Sequence, residues 1–512
     1  MPDTSEIKPL RVTCGGGLIL DKTPESMPPG AALTLQNYEP DIDGGYRRIS
    51  GHTKYSSTAL TGAGKVLGIT ILGNTVIGCR GANVEHGTGT TWTSITTGRT
   101  GASTYHFDKY NWNGTEKIVM ADDGGTNYAA TWDGSTYTLM NGAIGSGSGT
   151  APTAPHEVHD FKNHMFYAQD NILTWSAPYD ENNFDPANGA GSVNIKEDIK
   201  GLKTFRDAMF IFCINSIHRL TGNTIEDFKI EPVSNNIGCI APKSIQEVGG
   251  DIVFLAQDGL RTVAGTDKIG DIELGTISKP IQPRLDGIGE TTSDIYSCVI
   301  RKKSQYRIFY PTSSDTEATA SGNIAAMIRQ STPQVAGNVG WEFSDIKGIR
   351  PSYATSDYLS TGVELVLHGG WSDGIIYQQE SGTSFDGVTI DARYRTPDYS
   401  FGDTGIRKAM QRAIITASYE GIVTSIVKVL YNYGDGLTPQ PAAYDFNNPG
   451  GVAIYGAATY GSVTYGAEPI AITRLSGEGS GFTIALLFQH NSTDASQSIK
   501  DFQIEVTPDG RR

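Results

Sequence analysis

One unit recurs through the middle of this chain, and its spacing constrains the fold more than any other feature. The unit is an apolar strand, an Asp-, Asn- or Gly-rich turn, and a second strand. His164–Leu173, Asp251–Leu260, Ala208–Ile217 and Leu365–Ile375 are four copies. Asp-Gly and Asp-Asn tolerate the positive φ that tight hairpin turns demand. Taking the central apolar residue of each leading strand as a marker gives Val76, Ile118, Met165, Met209, Ile252, Ile308 and Val366. The first four intervals between marker numbers are about 42, 47, 44 and 43 residues, and the last two about 56 and 58. A four-stranded propeller blade takes roughly 40–50 residues. The spacing predicts an all-β chain with a β-propeller of six or seven blades over residues 55–383. The markers Met165, Met209 and Ile252 are expected to be buried on the first strands of successive blades. The competing architecture is a stack of ordinary β-sandwiches.

Composition agrees with a turn-rich β fold. Gly supplies 62 of 512 residues, well above the usual share of about 7%, and each Gly in a helix costs about 1 kcal/mol. Helices should be few, with Ile277 to Ile288 and Ile324 to Gln330 the best candidates. The five cysteines, Cys14, Cys79, Cys213, Cys239 and Cys298, are scattered and never form a CxxC pair. They read as buried free thiols, not as a disulfide or zinc framework. The N-terminus has no basic and apolar leader, and the longest apolar run, near Ala208 to Ile214, is far short of a membrane span. A soluble protein made in a reducing cytoplasm is expected.

The flanking segments differ from the repeat. Residues 1–54 read as an extended arm, broken by Gly15-Gly16-Gly17, Pro28-Pro29-Gly30 and Asp43-Gly44-Gly45. Residues 384–512 read as a β-sandwich-like module. Its strands are expected at Ile414-Ile415, Ile422-Val423, Ile426 to Tyr433, Phe482 to Phe488 and Asp501 to Val506. Phe502, Ile504 and Val506 alternate there as on a half-buried strand. The arm and this module are expected to form one β-rich platform joining both termini. A five-residue repeat, Tyr455-Gly456, Tyr460-Gly461 and Tyr465-Gly466, is either an irregular loop packed by its aromatics or a set of intersubunit contacts.

No residue cluster makes a convincing catalytic or cofactor site. His156, His159, Asp160 and His164 have zinc-like residue types, but they run into an apolar strand where they should not converge. Asp122-Asp123-Gly124-Gly125 and the loop from Asp180 through Asn182, Asn183 and Asp185 lack the spacing of a calcium loop, and turn chemistry accounts for both. A glycosidase would need two acids across the scissile bond, a pair no sequence pattern reveals here. No phosphate loop, nucleophile elbow or HExxH occurs. Arg301-Lys302-Lys303 reads as a solvated strand edge. The expectation is no enzyme activity, no catalytic residue, no cofactor and no required metal.

Several segments resemble a known family. Gly17-Leu18, Pro29-Gly30-Ala31-Ala32, Asn37-Tyr38-Glu39-Pro40 and Gly44 to Gly51 look like the opening of phage virion proteins. Ile199 to Leu202, Ile217 to Gly222, Ile237-Gly238-Cys239, Ile252 to Leu255 and Asp258-Gly259 extend the likeness. Together they resemble the tail hub, or nozzle, proteins of short-tailed bacteriophages, also called packaged-DNA stabilisation proteins. The resemblance covers about residues 10–385 and is looser beyond.

It implies a structural virion protein forming a hexameric hub below the portal and adaptor ring. Such a hub retains packaged DNA and conducts it at ejection. The implied partners are further copies of this chain, adaptor or head–tail connector proteins, tail fibre or spike proteins, and double-stranded DNA in transit. No membrane insertion by this chain is implied. The net charge of −15 fits a wall that must not hold a polyanion. The longer intervals after Ile252 and Ile308 are candidate constriction loops, where Asp315 and Glu317 would repel phosphates. The alternatives are a host-receptor or glycan-binding propeller of a tail fibre or spike, and a propeller glycoside hydrolase.

Overall fold

A computed structural model describes residues 7–142, 149–263, 276–286, 288, 294–329, 339–448 and 470–511. The chain is nearly all β. Among the described residues, five four-stranded sheets, one three-stranded sheet and the first four strands of a nine-stranded sheet succeed one another as the blades of a β-propeller. Each blade is a run of antiparallel hairpins. The innermost strands are Val66–Leu72, Thr104–Tyr110, Glu157–Phe161, Ile199–Phe205, Gln246–Val248, Tyr296–Ile300 and Pro351–Tyr358. They pack side by side around an axis, the last against the first, with the turn Pro242–Ser244 between the fourth and fifth.

All seven markers are buried, but on the second strand of each blade, not the first. The reason is geometric. A second strand has strands on both sides and blades on both faces, so it carries the continuous apolar run. The innermost strand turns alternate side chains to the axis, and its polar residues dilute the signal. The turns joining first to second strands include Lys162-Asn163, Arg206-Asp207 and Gly249-Gly250, with positive φ at both central positions, as type I′ hairpins require.

The ring is closed by the arm. His52–Lys54 pairs with Ile376–Gln379 as the outer strand of the seventh blade, opposing Gln379, Gln378 and Tyr377. The propeller therefore begins at His52. The sixth blade departs from the others. Its third and fourth strands, Ser321–Arg329 and Val339–Lys347, are nine residues each. The fourth takes Thr34–Gln36 as a parallel neighbour, and the sheet runs on through Ile390–Arg395, Ile484–Ser492, Ile426–Tyr431 and Tyr444–Asp445. Ile324 thus lies in a strand, not a helix. Near Ile277 to Ile288 the described helix is short: a 3-10 turn, Lys279–Ile281, leads into Gln282–Leu285. The interval after Ile308 holds these two long strands and the connection 310–320 that precedes them.

The platform is a second sheet laid on the extension of the first. Its backbone is the pair Ile406–Tyr419 and Gln497–Arg511. Lys8–Thr13 adds to the latter strand, as does the hairpin of Tyr38–Pro40 and Tyr46–Arg48. Phe502, Ile504 and Val506 point into the core as their alternation requires. Ile422-Val423 makes only an isolated bridge, Val423 to Asn448. Aromatic rings run through the sandwich: Tyr46 lies 4.8 Å from Tyr394, Tyr394 5.3 Å from Phe488, and Phe488 6.4 Å from Phe502.

Arm, ring and platform meet at a buried charge network. Glu39 of the arm accepts from Arg47 at 2.9 Å, from Lys303 at 2.6 Å and from Arg307 at 3.1 Å. Arg307, on the second strand of the sixth blade, also donates to Glu380 at 2.7 Å. Arg47 reaches on to Glu420 of the platform at 2.8 Å. Burial alone would raise the Glu380 carboxyl, but Arg307 and Lys303 outweigh it and hold it at about 2. Of the basic run, Arg301 and Lys302 are exposed as a solvated edge requires, and Lys303 is not. The run forms a 3-10 turn in which Lys303 enters this network and Arg301 pairs with the buried Glu364.

Glu39→Gln should cost about 3–5 kcal/mol, because it leaves a buried cation uncompensated. The double variant Glu39→Gln/Arg307→Met should cost less than the two single variants added together, as read by urea unfolding. A second expectation concerns acid. His52 packs against His368 with centroids 4.9 Å apart. Burial, opposed only weakly by Asp386, pushes His52 down to about 4, and burial pushes His368 down as well. Both are held neutral in the fold and take a proton on unfolding. Their contribution to stability is therefore full above about pH 6.5 and lost as pH falls toward 4. His52→Phe should flatten this acid limb of the melting profile by roughly 3 kcal/mol.

Candidate functional site: the axial channel

The innermost strands turn one side-chain face to the propeller axis. The second blade contributes Thr104, His106 and Asp108 at a spacing of two, and the third contributes Glu157 and His159. Two cavities, of about 410 and 300 Å³, lie along this axis, and His106, Pro242 and Lys243 line both. His106 Nδ1 contacts Glu157 Oε2. Lys243 donates to the Tyr105 carbonyl, and its ammonium sits 5.3 Å from the Tyr353 ring centroid. Burial drives both charged partners toward their neutral forms: Glu157 rises to about 7 despite Lys243, and Lys243 falls to about 7 despite Glu157. The mouths carry paired charges of both signs, Lys65 with Asp294 and Lys109 with Asp357.

Beside this waist, Asp108 and His159 form a carboxylate–imidazole pair at 2.9 Å. Burial would raise the Asp108 carboxyl, yet His159 holds it below the usual range. The imidazole's other nitrogen is already engaged. Nε2 accepts the Thr204 backbone N–H at 2.9 Å and meets the Thr204 hydroxyl at 2.8 Å. Nδ1 is then the protonated nitrogen that donates to Asp108. A general base needs a free lone pair within reach of its substrate, and this imidazole has none to offer. The cysteines supply no nucleophile either, since all five are buried and burial raises every thiol.

The histidine cluster singled out in the sequence disperses. His159 and His156 line different axial cavities, His156 with its Nε2 bonded to the Ile199 carbonyl at 2.7 Å. Asp160 accepts from Trp112 Nε1 at 3.0 Å, and His164 bonds the Ser176 carbonyl at 2.7 Å. Both acidic loops are held by their own turns. Asp122 accepts from Arg99 at 2.7 Å and from Asn127 at 3.0 Å. Asp180, Asn183 and Asp185 each accept a backbone N–H two residues on. Among the described residues, no group of three or more His, Cys, Asp or Glu is placed to hold a metal ion.

Asp315 and Glu317 lie between the second and third strands of the sixth blade, away from the residues lining the axial channel. Asp315 accepts the Thr312 N–H at 2.7 Å and the Thr312 and Thr319 hydroxyls at 2.9 and 3.2 Å. Glu317 accepts the Arg350 N–H at 3.1 Å. Tyr455, Tyr460 and Tyr465 lie outside the described residues. Sequence reasoning missed His106, Asp108, Glu157 and Lys243. A signal existed for the first two: Thr104, His106 and Asp108 alternate with Tyr105, Phe107 and Lys109 just before a hairpin.

No protein-family model matches the chain, and a search of curated proteins found no relative. Among solved structures it is similar to the extracellular domain of a putative hybrid two-component system from B. thetaiotaomicron. That match has 11% identity and a TM-score of 0.37, over 71% of this chain and 42% of the other. The chain thus spans about two fifths of that protein's length. It is also similar to the WD40 domain of Neurospora crassa Pan2, at 8% identity and a TM-score of 0.36, over 65% of this chain and 97% of that domain. These likenesses concern the fold alone.

Glu157→Gln and Lys243→Met should each cost about 1–3 kcal/mol at pH 7, since the first weakens the contact with buried His106 and the second removes the donor to the Tyr105 carbonyl. The double variant should cost clearly less than the sum of the two in thermal or chemical unfolding.

Proposed function

We propose that this chain is a structural subunit of a bacteriophage tail, a hub or nozzle that assembles as a hexameric ring below the portal and adaptor proteins. In this role it retains packaged DNA and conducts it at ejection, with tail fibre or spike proteins as neighbours. The observation carrying this reading is where the residues of the resemblance fall. Tyr46 of Gly44 to Gly51 donates to the Gly30 carbonyl at 2.9 Å and accepts the Gly17 N–H at 3.0 Å. Asn37 and Glu39 of the third motif anchor the arm to the sixth blade. The shared motifs thus build one junction that fuses a propeller to a platform made from both ends of the chain. The −15 charge suits a surface past which DNA must slide. No helix among the described residues is long and apolar enough to cross a membrane.

Electron microscopy of particles carrying a labelled copy should place the label on the tail, below the portal. A label on the capsid shell, or none in the particle, would overturn the reading. The purified protein should leave duplex DNA unretarded at physiological salt; tight binding would defeat the repulsive-wall argument. Particles with Ser313 to Gly322 shortened should assemble but leak DNA if this loop forms the gate, and retain DNA normally if it does not.

A further inference from the structure

A cleft lies where the seventh blade, the arm and the extended sheet meet, with Glu317 among the residues that line it. Its volume is about 630 Å³, within the range of roughly 300–1,000 Å³ common to small-molecule sites. One wall is aromatic. His52 stacks on Phe385 with centroids 5.1 Å apart and planes 11° apart, and Tyr377 stacks on His368 at 5.2 Å and 15°. Tyr377 is only half-buried, so part of its ring is open to a ligand. The Nδ1 atoms of His52 and His368 are buried without a hydrogen-bond partner.

The remaining wall is polar and carries both signs of charge, four carboxylates against three bases, most of them already held in pairs. Its acids are Glu317, Asp373, Asp386 and Asp391, and its bases Lys347, Arg350 and Arg393. Asp391 meets Arg393 at 2.8 Å, and Asp386 meets Lys54 at 3.3 Å. Asp373 is fixed by the Tyr377 hydroxyl at 2.6 Å and the Ile375 N–H at 3.0 Å. Arg350 is fixed over the Trp371 ring at 4.2 Å, where it also donates to the Thr312 carbonyl at 2.9 Å. These planar groups are pre-set by one another and keep lone pairs and N–H groups for a ligand. A strongly charged ligand of either sign would have to break such pairs. A neutral ligand rich in hydroxyls, each both donor and acceptor, would not, and its C–H face would suit the open part of the Tyr377 ring.

We propose that this cleft is a saccharide-binding site, taking a neutral sugar unit either free or within a longer glycan. The proposal does not depend on the virion reading. It is tested with the full-length chain by saturation-transfer NMR, using D-glucose, D-galactose, D-mannose, N-acetyl-D-glucosamine and a linear trisaccharide of each. At least one should receive saturation. Its affinity should fall about tenfold in Asp373→Asn and in Arg393→Ala, the loss of one charge-assisted hydrogen bond, and further in Tyr377→Ala. Both polar residues are partly exposed, so these two variants should fold even if Tyr377→Ala does not. Tyr358→Ala, outside the cleft, should bind as the parent does. A response only to trisaccharides points to a glycan chain, and a response to monosaccharides as well points to a single-unit pocket; either supports the site. Transfer to no sugar, transfer unchanged in Asp373→Asn and Arg393→Ala, or binding of hexalysine in place of any sugar would overturn it.

Discussion

A ring of wedge-shaped blades is stable only if its last blade is tied to its first, and here that tie is three residues long. His52–Lys54 completes the seventh blade with main-chain pairing to Tyr377, Gln378 and Gln379. So short a strand gains little by itself, since a few hydrogen bonds contribute about 1 kcal/mol each. It is held because the residues on both sides of it are fixed. Upstream, Arg48 is fully buried and donates to the carbonyls of Thr383, Ser492 and Asp494. Glu39 and Arg47 enter the charge network with Arg307 and Glu380. Downstream, the Tyr55 N–H bonds the Ile376 carbonyl. Closure of the ring and docking of the platform therefore share these residues.

The repeat was legible because it is written in second strands. Residues such as Met209, Ile252 and Ile308 sit in the densest part of each blade and must be apolar whatever else the blade does. The platform was legible in part for the same reason, through the alternation of Phe502, Ile504 and Val506. The boundary of the arm was harder. His52-Thr53-Lys54 has no apolar pattern, since a closing outer strand needs backbone pairing more than buried side chains. The fusion of the sixth blade with the platform was also hidden, because Thr34–Gln36 pairs across more than 300 positions with Asp345 and Arg393. Such pairing leaves no local trace. The channel residues were illegible for a different reason. A lone Lys243 after a Pro looks like any surface turn until the neighbouring blades enclose it.

Glycine placement shows how strictly the junction is specified. A Cβ on Gly30 would lie 2.1 Å from the Thr13 carbonyl oxygen, and one on Gly45 would lie 2.3 Å from that of Ile499. Gly45 also has φ of +89°, which side chains rarely adopt. Between these close approaches the Tyr46 hydroxyl bridges two backbone segments. The motifs Pro29 to Ala32 and Gly44 to Gly51 therefore read as solutions to one packing problem, bringing an extended arm flush against two sheets. That accounts for motifs made of turns and glycines, with no acid, base or nucleophile among them in a catalytic arrangement.

The same logic bears on where movement and passage can occur. Polar contacts join inner strands across the axis: His106 to Glu157 and Asp108 to His159 link the second and third blades, and the Lys109–Asp357 ion pair links the second to the seventh. They tie the ring from inside, as His52–Lys54 ties it from outside. Side chains fill the axis between cavities of a few hundred Å³, whereas a DNA duplex is far wider. No duplex can thread one propeller without unmaking these pairs. A conduit would have to lie between copies of the chain, walled by their outer surfaces, with the rigid ring serving as a strut. Any gate would then be built from loops that the inner pairs leave free. The excess of acidic over basic residues, dispersed along the chain, would set the potential of such a wall without any single residue acting as the valve.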